Sequence, residues 1–157
     1  MGSQRTLTRD LLHELFELRD GVLYRDGKVA GDLSKGRWRI GIKNHKYFRS
    51  KIVWCMVHGN WPKEIDHINR DKSDDRIENL REATRQHNLG NVGDKPRTTS
   101  LPRGVHPHRG RFRAQIRNQY KIITTRTCST PEEAHELYKA KHLEIHGEFS
   151  PYSREER

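Results

Sequence analysis

The chain has 157 residues, which is enough for one ordinary domain or two small ones. Apolar residues make up 31% and charged residues 33%, so one large core is excluded and two modest cores, or one core with tails, are favoured. The formal net charge of +10 favours a polyanionic partner, usually nucleic acid, over a basic protein that is merely soluble.

The cysteines and the apolar runs exclude further classes of protein. Cys55 and Cys128 are isolated in the sequence, so neither a disulfide framework nor a cysteine zinc site is predicted. No apolar run approaches the length of a membrane span, and the N-terminal segment lacks the apolar core of a signal peptide. We therefore expect a soluble protein of a reducing cytoplasm with no membrane partner.

The first predicted element is an amphipathic helix over residues 8–18. Leucine and phenylalanine recur there at helical spacing, and Thr8 or Thr6 is suited to the N-cap position. Asp20-Gly21 is predicted to end the helix in a turn. The apolar side chains therefore cluster on one side of a short helix.

Residues 22–47 predict a β-meander, and a second helix follows it. Asp26-Gly27 is a hairpin signal, and the later residues alternate basic and apolar side chains as a strand with one wet face does. Residues 51–58 predict a compact helix that Gly59 ends. The first part of the chain is therefore expected to mix short strands with two helices.

The middle of the chain predicts a strand, a polar loop, a return segment and a short helix before a linker. These elements cover residues 64–69, 70–75, 76–83 and 84–91 in that order. Residues 92–102 contain Gly, two Pro and no periodicity, which indicates a linker. We therefore predict two domains, at residues 1–92 and 103–157, joined by linker residues 93–102.

Four polar side chains in this middle region have the chemistry of a hydrolytic metal site. Asp66 and His67 are adjacent, Asn79 follows thirteen residues after the acid, and Asn88 follows nine residues later. Magnesium and manganese prefer carboxylate and amide oxygens, which suits Asp66 and Asn88, whereas an imidazole is suited to take a proton from water. Neighbours on a strand point to opposite faces, so Asp66 and His67 would serve the metal and the water from different sides. Asn79 is suited to fix the loop between them.

At these positions the chain resembles the HNH endonucleases, specifically their phage and intron-homing branch. The resemblance rests on Asp66-His67-Ile68-Asn69, on Asp75-Arg76-Ile77-Glu78-Asn79-Leu80-Arg81-Glu82-Ala83-Thr84, and on Asn88. Segments 30–33 and 54–62 also resemble family motifs, so the likeness covers most of residues 8–91. It implies a ββα-metal fold, in which two strands and a helix grip one divalent cation, Mg²⁺ or Mn²⁺.

The resemblance also implies a role for each site residue. Asp66 and Asn88 would bind the metal, His67 would be the general base, and Asn79 would support the base and the loop. His87 would restore the letters H-N-H, but the spacing from Asn79 favours Asn88. The two assignments differ physically, because a shift of one residue turns a helical side chain by about 100°.

The C-terminal part predicts three strands and one helix. The strand segments are residues 104–106, 112–117 and 121–125, and Thr130 begins a helix, with Glu133 completing a capping box, that runs to His146. On the middle strand, one face would carry Arg111, Arg113, Gln115 and Arg117, and the other would carry Phe112, Ala114 and Ile116. Guanidinium and amide groups pair with base edges and phosphates, so this face predicts DNA contacts.

This segment resembles the ethylene-response-factor (Apetala-two type) DNA-binding domain. The resemblance rests on Arg103-Gly104-Val105, on residues 110–117, and on the helix start Thr130-Pro131-Glu132-Glu133-Ala134. It implies a three-stranded sheet that lies in the DNA major groove and is backed by the helix. The predicted DNA contacts are Lys51, Arg103, Arg111, Arg113, Gln115, Arg117 and Arg126. His106 and His108 are expected to be a loop pair that faces phosphate or solvent.

Together these features predict an α+β protein that combines an N-terminal ββα-metal domain with a C-terminal three-stranded sheet and helix. The expected function is a monomeric, metal-dependent HNH endonuclease that hydrolyses phosphodiester bonds in double-stranded DNA, one strand at a time. It would act in the host cytoplasm if a phage encodes it. The alternative is a non-cleaving DNA-binding regulator. A zinc-stabilised structural module is a further alternative, against which the oxygen-rich ligand set argues.

Overall fold

A computed structural model describes residues 7–91, 100–118 and 121–154 of the chain. The chain divides into two compact units, Met1–Arg85 and Gln86–Arg157. Each unit mixes helix and antiparallel sheet, which confirms the predicted α+β class. Most of the predicted linker lies outside the described residues, so the predicted domain boundaries stay a prediction. No helix within the described ranges is long and apolar enough to cross a membrane.

The first unit contains short strands placed around two helices. Its elements, in chain order, are α1 (Arg9–Leu15), β1 (Glu17–Arg19), β2 (Val22–Arg25), β3 (Lys28–Val29), β4 (Asp32–Ser34), β5 (Arg37–Ile42), β6 (His45–Phe48), α2 (Arg49–His58), β7 (Glu64–His67), a 3₁₀ turn (Ile77–Asn79) and β8 (Leu80–Ala83). Helix α3 (Arg85–Gly90) begins at the last residue of this unit.

The second unit is a three-stranded meander followed by one long helix. Its elements after α3 are β9 (Val105–His108), β10 (Arg111–Asn118), β11 (Lys121–Cys128), α4 (Pro131–His146) and two 3₁₀ turns (Gly147–Phe149 and Pro151–Arg154). The strand order is β11-β10-β9, with all neighbours antiparallel.

The predicted first helix is too long at its C-terminal end. Thr8 caps α1 by accepting a hydrogen bond from the Leu11 amide, but the helix ends at Leu15. Residues 17–19 are instead β1, which pairs with β2 through the two-residue turn Asp20-Gly21. Both turn residues have positive φ, as a type I′ hairpin requires, so this turn joins two strands and does not end a helix.

The predicted single meander over residues 22–47 is also wrong. The strands form two separate three-stranded sheets, β1-β2-β3 and β4-β5-β6. The break falls at Gly31, whose φ is +97°, and a Cβ at that position would lie 2.4 Å from the carbonyl oxygen of Arg39. Only glycine lets the chain turn this close to β5, so the break between the two sheets falls at this residue.

The core of the first unit gathers around α2. The largest fully buried side chains include Leu12, Leu23, Ile40, Ile52 and Met56. Gly59 ends α2 in the left-handed conformation, with its N–H bonded to the Cys55 carbonyl, as the sequence predicted. Because Ile65 and Leu80 belong to the same core, the strand pair β7-β8 is anchored beside this helix.

Helix α4 covers the apolar face of the second sheet. Ala114 and Ile116 of β10 pack with Tyr138 of α4 and with Tyr152. Thr130 caps the helix by accepting from the Glu133 amide, as predicted. The Glu133 carboxylate accepts from the amide of Ser129 and not from that of Thr130, so the predicted capping box is formed one residue early. The helix therefore has a fixed start, and it packs on the face of the sheet that carries Ala114 and Ile116.

Candidate functional site

The strand pair β7-β8 places the adjacent Asp66 and His67 on opposite faces. In the antiparallel register Asp66 lies opposite Arg81, and His67 lies opposite Leu80 of the core. Arg81 Nε donates to Asp66 Oδ2 at 2.8 Å, and its Nη2 lies 2.7 Å from the same oxygen. Opposite charges in directly facing positions stabilise such a ladder. The strand geometry thus separates the predicted metal ligand from the predicted base.

The imidazole of His67 is held in a buried network of charged groups. Its Nε2 lies 2.8 Å from Oδ1 of Asp75, and Arg49 Nε donates to Oδ2 of the same carboxylate at 2.8 Å. All three residues are buried, with only 3–4% of their surface exposed. The ring of His67 is therefore fixed by protein contacts and not by solvent.

Asn79 ties together the two ends of the loop that separates β7 from β8. Its side-chain oxygen accepts from the Asn69 amide at 2.8 Å, and its side-chain nitrogen donates to the Asp74 carbonyl at 2.7 Å. Its backbone carbonyl also accepts from the Ile68 amide. Two of these contacts satisfy the amides directly after His67, and the third holds the far end of the loop, so Asn79 orders the loop.

The exposed part of this loop is ordered by its own short polar side chains. Asp74 Oδ1 and Oδ2 accept from Arg76, and Oδ2 also accepts from Asn69. The hydrogen bond from Arg76 is the main reason why the pKa of Asp74 falls to about 2, and it raises the pKa of Arg76. Hydrogen bonds from Ser73 likewise lower the pKa of Asp71. The loop is thus held by ionised carboxylates near His67.

A divalent metal ion fits the donor chemistry of Asp66. Its carboxylate is a hard oxygen ligand of the kind that Mg²⁺ and Mn²⁺ prefer. A bound cation would share this carboxylate with Arg81, two of whose nitrogens lie within 2.8 Å of Oδ2. Within the described ranges no cluster of three or more His, Cys, Asp or Glu side chains could hold a metal ion. Any site at Asp66 would therefore need amide, phosphate or water oxygens as well.

The two candidates for the third motif position, His87 and Asn88, lie on α3 and belong to the second unit. The ring of His87 stacks on Phe149 with 4.0 Å between centroids. This contact gives His87 a packing role inside the second unit. The pairing of Asn88 with Asp66 as metal ligands stays a prediction.

The polar face of the second sheet carries the predicted DNA contacts of β10. The strand alternates as predicted: Ala114 and Ile116 are buried, while Arg111 and Arg117 are exposed. His108 and His106 lie directly opposite Arg111 and Arg113, so both histidines sit on strand β9, on the basic face, and not in a loop. We call this surface the basic face; its members on β9 and β10 are His106, His108, Arg111, Arg113, Gln115 and Arg117.

Strand β11 departs from a regular ladder where it passes β10. The register shifts between Arg113 and Gln115, so Thr125 and Arg126 together lie opposite Ala114. The Thr125 hydroxyl accepts from the Ala114 amide at 3.0 Å, and this bond replaces a ladder hydrogen bond. Such a bulge twists a strand locally, and here it leaves the predicted contact Arg126 exposed beside the basic face.

The other two predicted DNA contacts have structural partners. Lys51 donates to the carbonyl of Lys63, which fastens the segment after α2 to the start of that helix. The guanidinium of Arg103 lies 6.0 Å from the ring centre of Tyr138, and its carbonyl is bonded to the His135 ring. Whether either residue also touches DNA stays a prediction.

Comparison with known proteins bears on the first unit and on the start of the second. A sequence model of the HNH endonuclease family matches residues 47–89. The matched segment begins just before α2, contains Asp66, His67 and Asn79, and reaches Asn88. The match supports an HNH nuclease that acts on DNA. Neither the curated proteins nor the solved structures gave a match.

The structure adds three residues to the candidate site that the sequence did not indicate. Arg81 and Asp75 stood in the motif without a role, and Arg49 was not singled out. The Asp66–Arg81 pair could have been predicted from the strand register, because opposite charges in directly facing positions attract. Arg49 had no sequence signal, because it meets Asp75 across 26 residues of chain.

Proposed function

We propose that the chain is a metal-dependent HNH DNA endonuclease of the phage or homing type that nicks double-stranded DNA. The observation that carries the proposal is the buried His67–Asp75 contact inside the segment matched by the HNH family. An imidazole fixed in this way is suited to take a proton from water. Products would carry a 5′ phosphate and a 3′ hydroxyl, and one active site would cut one strand at a time.

Each residue of the site has a distinct task in this reaction. Asp66 and Asn88 would hold one Mg²⁺ or Mn²⁺ ion, which when bound supplies positive charge for the scissile phosphate and the leaving oxygen. His67 receives the proton that the attacking water loses. Asn79 keeps the residues after His67 in place through its three loop contacts.

The second unit is proposed to be an Apetala-two-like domain that binds DNA through its basic face. Three arginines and an amide project from one strand, and the buried Nε of Arg113 has no hydrogen-bond partner among the described residues. A buried donor without an acceptor is unfavourable in free energy, and the phosphate or base oxygens of bound DNA are acceptors that could satisfy it. Each bidentate contact to a base would contribute about 1–3 kcal/mol of discrimination.

Plasmid cleavage tests the nuclease proposal. Supercoiled plasmid incubated with the protein and Mg²⁺ or Mn²⁺ should be nicked, and chelation should stop the reaction. His67→Ala should abolish nicking while DNA binding, measured by fluorescence anisotropy, is kept. Cleavage by His67→Ala at the wild-type rate would show that the proposed base is wrong.

A charge-matched pair of variants tests the binding proposal. Arg111→Gln/Arg117→Gln removes two exposed charges from the basic face, and Lys139→Gln/Lys141→Gln removes two charges from α4, which packs on the other face of the sheet. The arginine variant should weaken DNA binding and reduce the salt dependence, by about 0.9 in slope for each lost phosphate contact. Equal weakening by the two variants would argue for a diffuse effect of charge.

A non-cleaving DNA-binding protein is the second candidate function. The observation that favours it is the burial of Asp66 and His67, which are 7% and 4% exposed, together with the ion pair between Asp66 and Arg81. A pure binding protein would bind DNA in a salt-sensitive manner and would cut it with no divalent metal. The plasmid assay therefore separates the two candidates directly.

A further inference from the structure

We propose that Asp75, backed by Arg49, is the positioning residue of the His67 base: it holds the ring so that Nδ1 is the nitrogen that accepts the proton. The inference rests on the proposed nuclease function and deepens it. It adds a carboxylate and a guanidinium that none of the motif roles assigned above includes. The three groups form one chain of contacts, from Arg49 through Asp75 to His67.

Each oxygen of Asp75 has a separate partner. Oδ1 lies 2.8 Å from Nε2 of His67, and Oδ2 accepts from Nε of Arg49 at 2.8 Å. The Asp75 side chain is 2% exposed, and those of Arg49 and His67 are each 4% exposed. Water therefore competes little for these hydrogen bonds, and the carboxylate cannot turn without breaking one of them.

The contact with Asp75 determines where the ring proton sits. A carboxylate next to a guanidinium acts as an acceptor only, so the ring nitrogen that faces it must be the N–H donor. In the neutral ring the proton then lies on Nε2 and the lone pair on Nδ1. In the reaction, water would lose a proton to Nδ1 while its oxygen bonds to phosphorus. The P–O3′ bond would break, and solvent would supply the proton of the 3′ hydroxyl.

Arg49 is in turn held in place by groups other than Asp75. Its Nη2 donates to the carbonyl of Ser73, and its guanidinium lies 4.5 Å from the ring centre of Trp38. Arg49 is also the first residue of α2, where the helix dipole disfavours a cation unless an anion is close. Asp75 provides that anion, so the helix, the loop and the base are linked through one carboxylate.

A purely structural ion pair would make different predictions. In that case Asp75 would stabilise the fold, and its loss would leave the cleavage rate of fully folded protein unchanged. A positioning residue acts on the cleavage rate at saturating DNA, because it sets the tautomer and orientation of the base. Its loss leaves the DNA concentration for half-maximal rate unchanged. The two roles are therefore separable by kinetics and by the protonation state of the ring.

The kinetic test compares Asp75→Asn with Glu78→Gln, at a temperature where both proteins are folded. Glu78 lies in the same segment, carries the same charge and has a 65% exposed side chain. Asp75→Asn should lower the nicking rate at saturating plasmid and Mg²⁺ by roughly 100-fold or more, because the amide no longer enforces one tautomer. The plasmid concentration for half-maximal rate should stay within about twofold of wild type. Glu78→Gln should nick within about twofold of the wild-type rate.

The spectroscopic test needs no activity. In ¹⁵N-labelled wild-type protein, at a pH where the ring is neutral, the His67 ring should show a protonated Nε2 and an unprotonated Nδ1. The His67 signals are identified by their loss in His67→Ala. A wild-type ring protonated on Nδ1 overturns the proposal, even if Asp75→Asn does not fold.

The outcomes separate this inference from the proposed function. If wild-type protein does not nick DNA with Mg²⁺ or Mn²⁺, the proposed nuclease function is wrong. The ring spectrum then still tests whether Asp75 holds His67 in the tautomer protonated on Nε2. If wild type nicks, His67→Ala does not, and folded Asp75→Asn nicks at the wild-type rate, the function stands and the positioning role is overturned. Loss of nicking in Asp75→Asn with the predicted ring spectrum supports both.

Discussion

Replacing Gly21 by alanine should disturb the surroundings of His67 from a hairpin that is remote in sequence. Gly21 has φ +74°, and a Cβ added there would lie 2.4 Å from the amide nitrogen of Arg76 and 2.5 Å from the carbonyl carbon of Asp75. Real Cβ contacts essentially never fall below 3.0 Å, and the obstructing atoms are backbone, so the loop must move by about half an ångström or more. That loop carries the carboxylate that contacts His67.

Gly27 provides a matched control for this substitution. It occupies the same position of a neighbouring two-residue hairpin, with φ +73° after an aspartate of positive φ. Nothing in the described part of the chain lies within 4 Å of a Cβ added there. Gly27→Ala should therefore lower the free energy of unfolding by about 1–2 kcal/mol, which is the cost of a left-handed alanine. Gly21→Ala adds the cost of overpacking, about 1–3 kcal/mol more.

Tryptophan fluorescence during urea unfolding measures this difference in the right part of the chain. All three tryptophans, Trp38, Trp54 and Trp61, belong to the first unit, so the signal reports that unit alone. With a slope of about 1–3 kcal/mol per molar urea, the extra destabilisation should shift the midpoint by roughly 1 M. Gly21→Ala should also nick plasmid more slowly than Gly27→Ala. Equal midpoints for the two variants would refute the close packing of this hairpin on the loop.

Three further predictions concern the loop and the second unit. Asp74→Asn should be less stable than wild type above about pH 4, because the pKa of Asp74 in the folded protein is lowered from 3.8 to about 2. The difference should vanish as the pH falls towards about 2. The free energy of unfolding measured as a function of pH tests this. Burial is the main cause that lowers the pKa of His146 from 6.5, and electrostatic interactions with His87 and Arg103 add to it. The second unit should therefore lose stability as the pH falls below 6.5. His146→Gln should flatten that dependence in hydrogen exchange of α4. Gly104→Ala should destabilise the second unit by about 1–3 kcal/mol more than Gly110→Ala. The reason is that an added Cβ meets the Tyr138 ring at Gly104 and not at Gly110. Thermal unfolding followed by tyrosine circular dichroism compares the stabilities of the two variants.

Caps and most tight turns of this chain could be predicted because they depend on neighbours in sequence. Thr8 and Thr130 accept from amides three residues later, and Asp26-Gly27 forms its hairpin between adjoining strands. The left-handed end of α2 at Gly59 is equally local. Such contacts need little knowledge of the rest of the fold, so residue type and spacing suffice.

The errors arose where distant packing overrides local preference. The helical spacing of residues 8–18 continues past Leu15, yet residues 17–19 pair with β2. The two sheets separate at Gly31 because the backbone of β5 passes against it, which no local pattern reveals. The bulge at Thr125 likewise depends on a register between strands. Local propensity is a weak prior when tertiary contacts are this close.

By itself the sequence determined which chemical groups were available: an acid, a base and two amides at fixed spacings, and a strand with a basic face. It also determined that Asp66 and His67, as neighbours on a strand, point apart. Only the tertiary structure decided that Asp66 faces Arg81 and that His67 meets Asp75 and Arg49. Those contacts join residues 15, 8 and 26 positions apart, so strand register and helix packing, and not local spacing, bring them together.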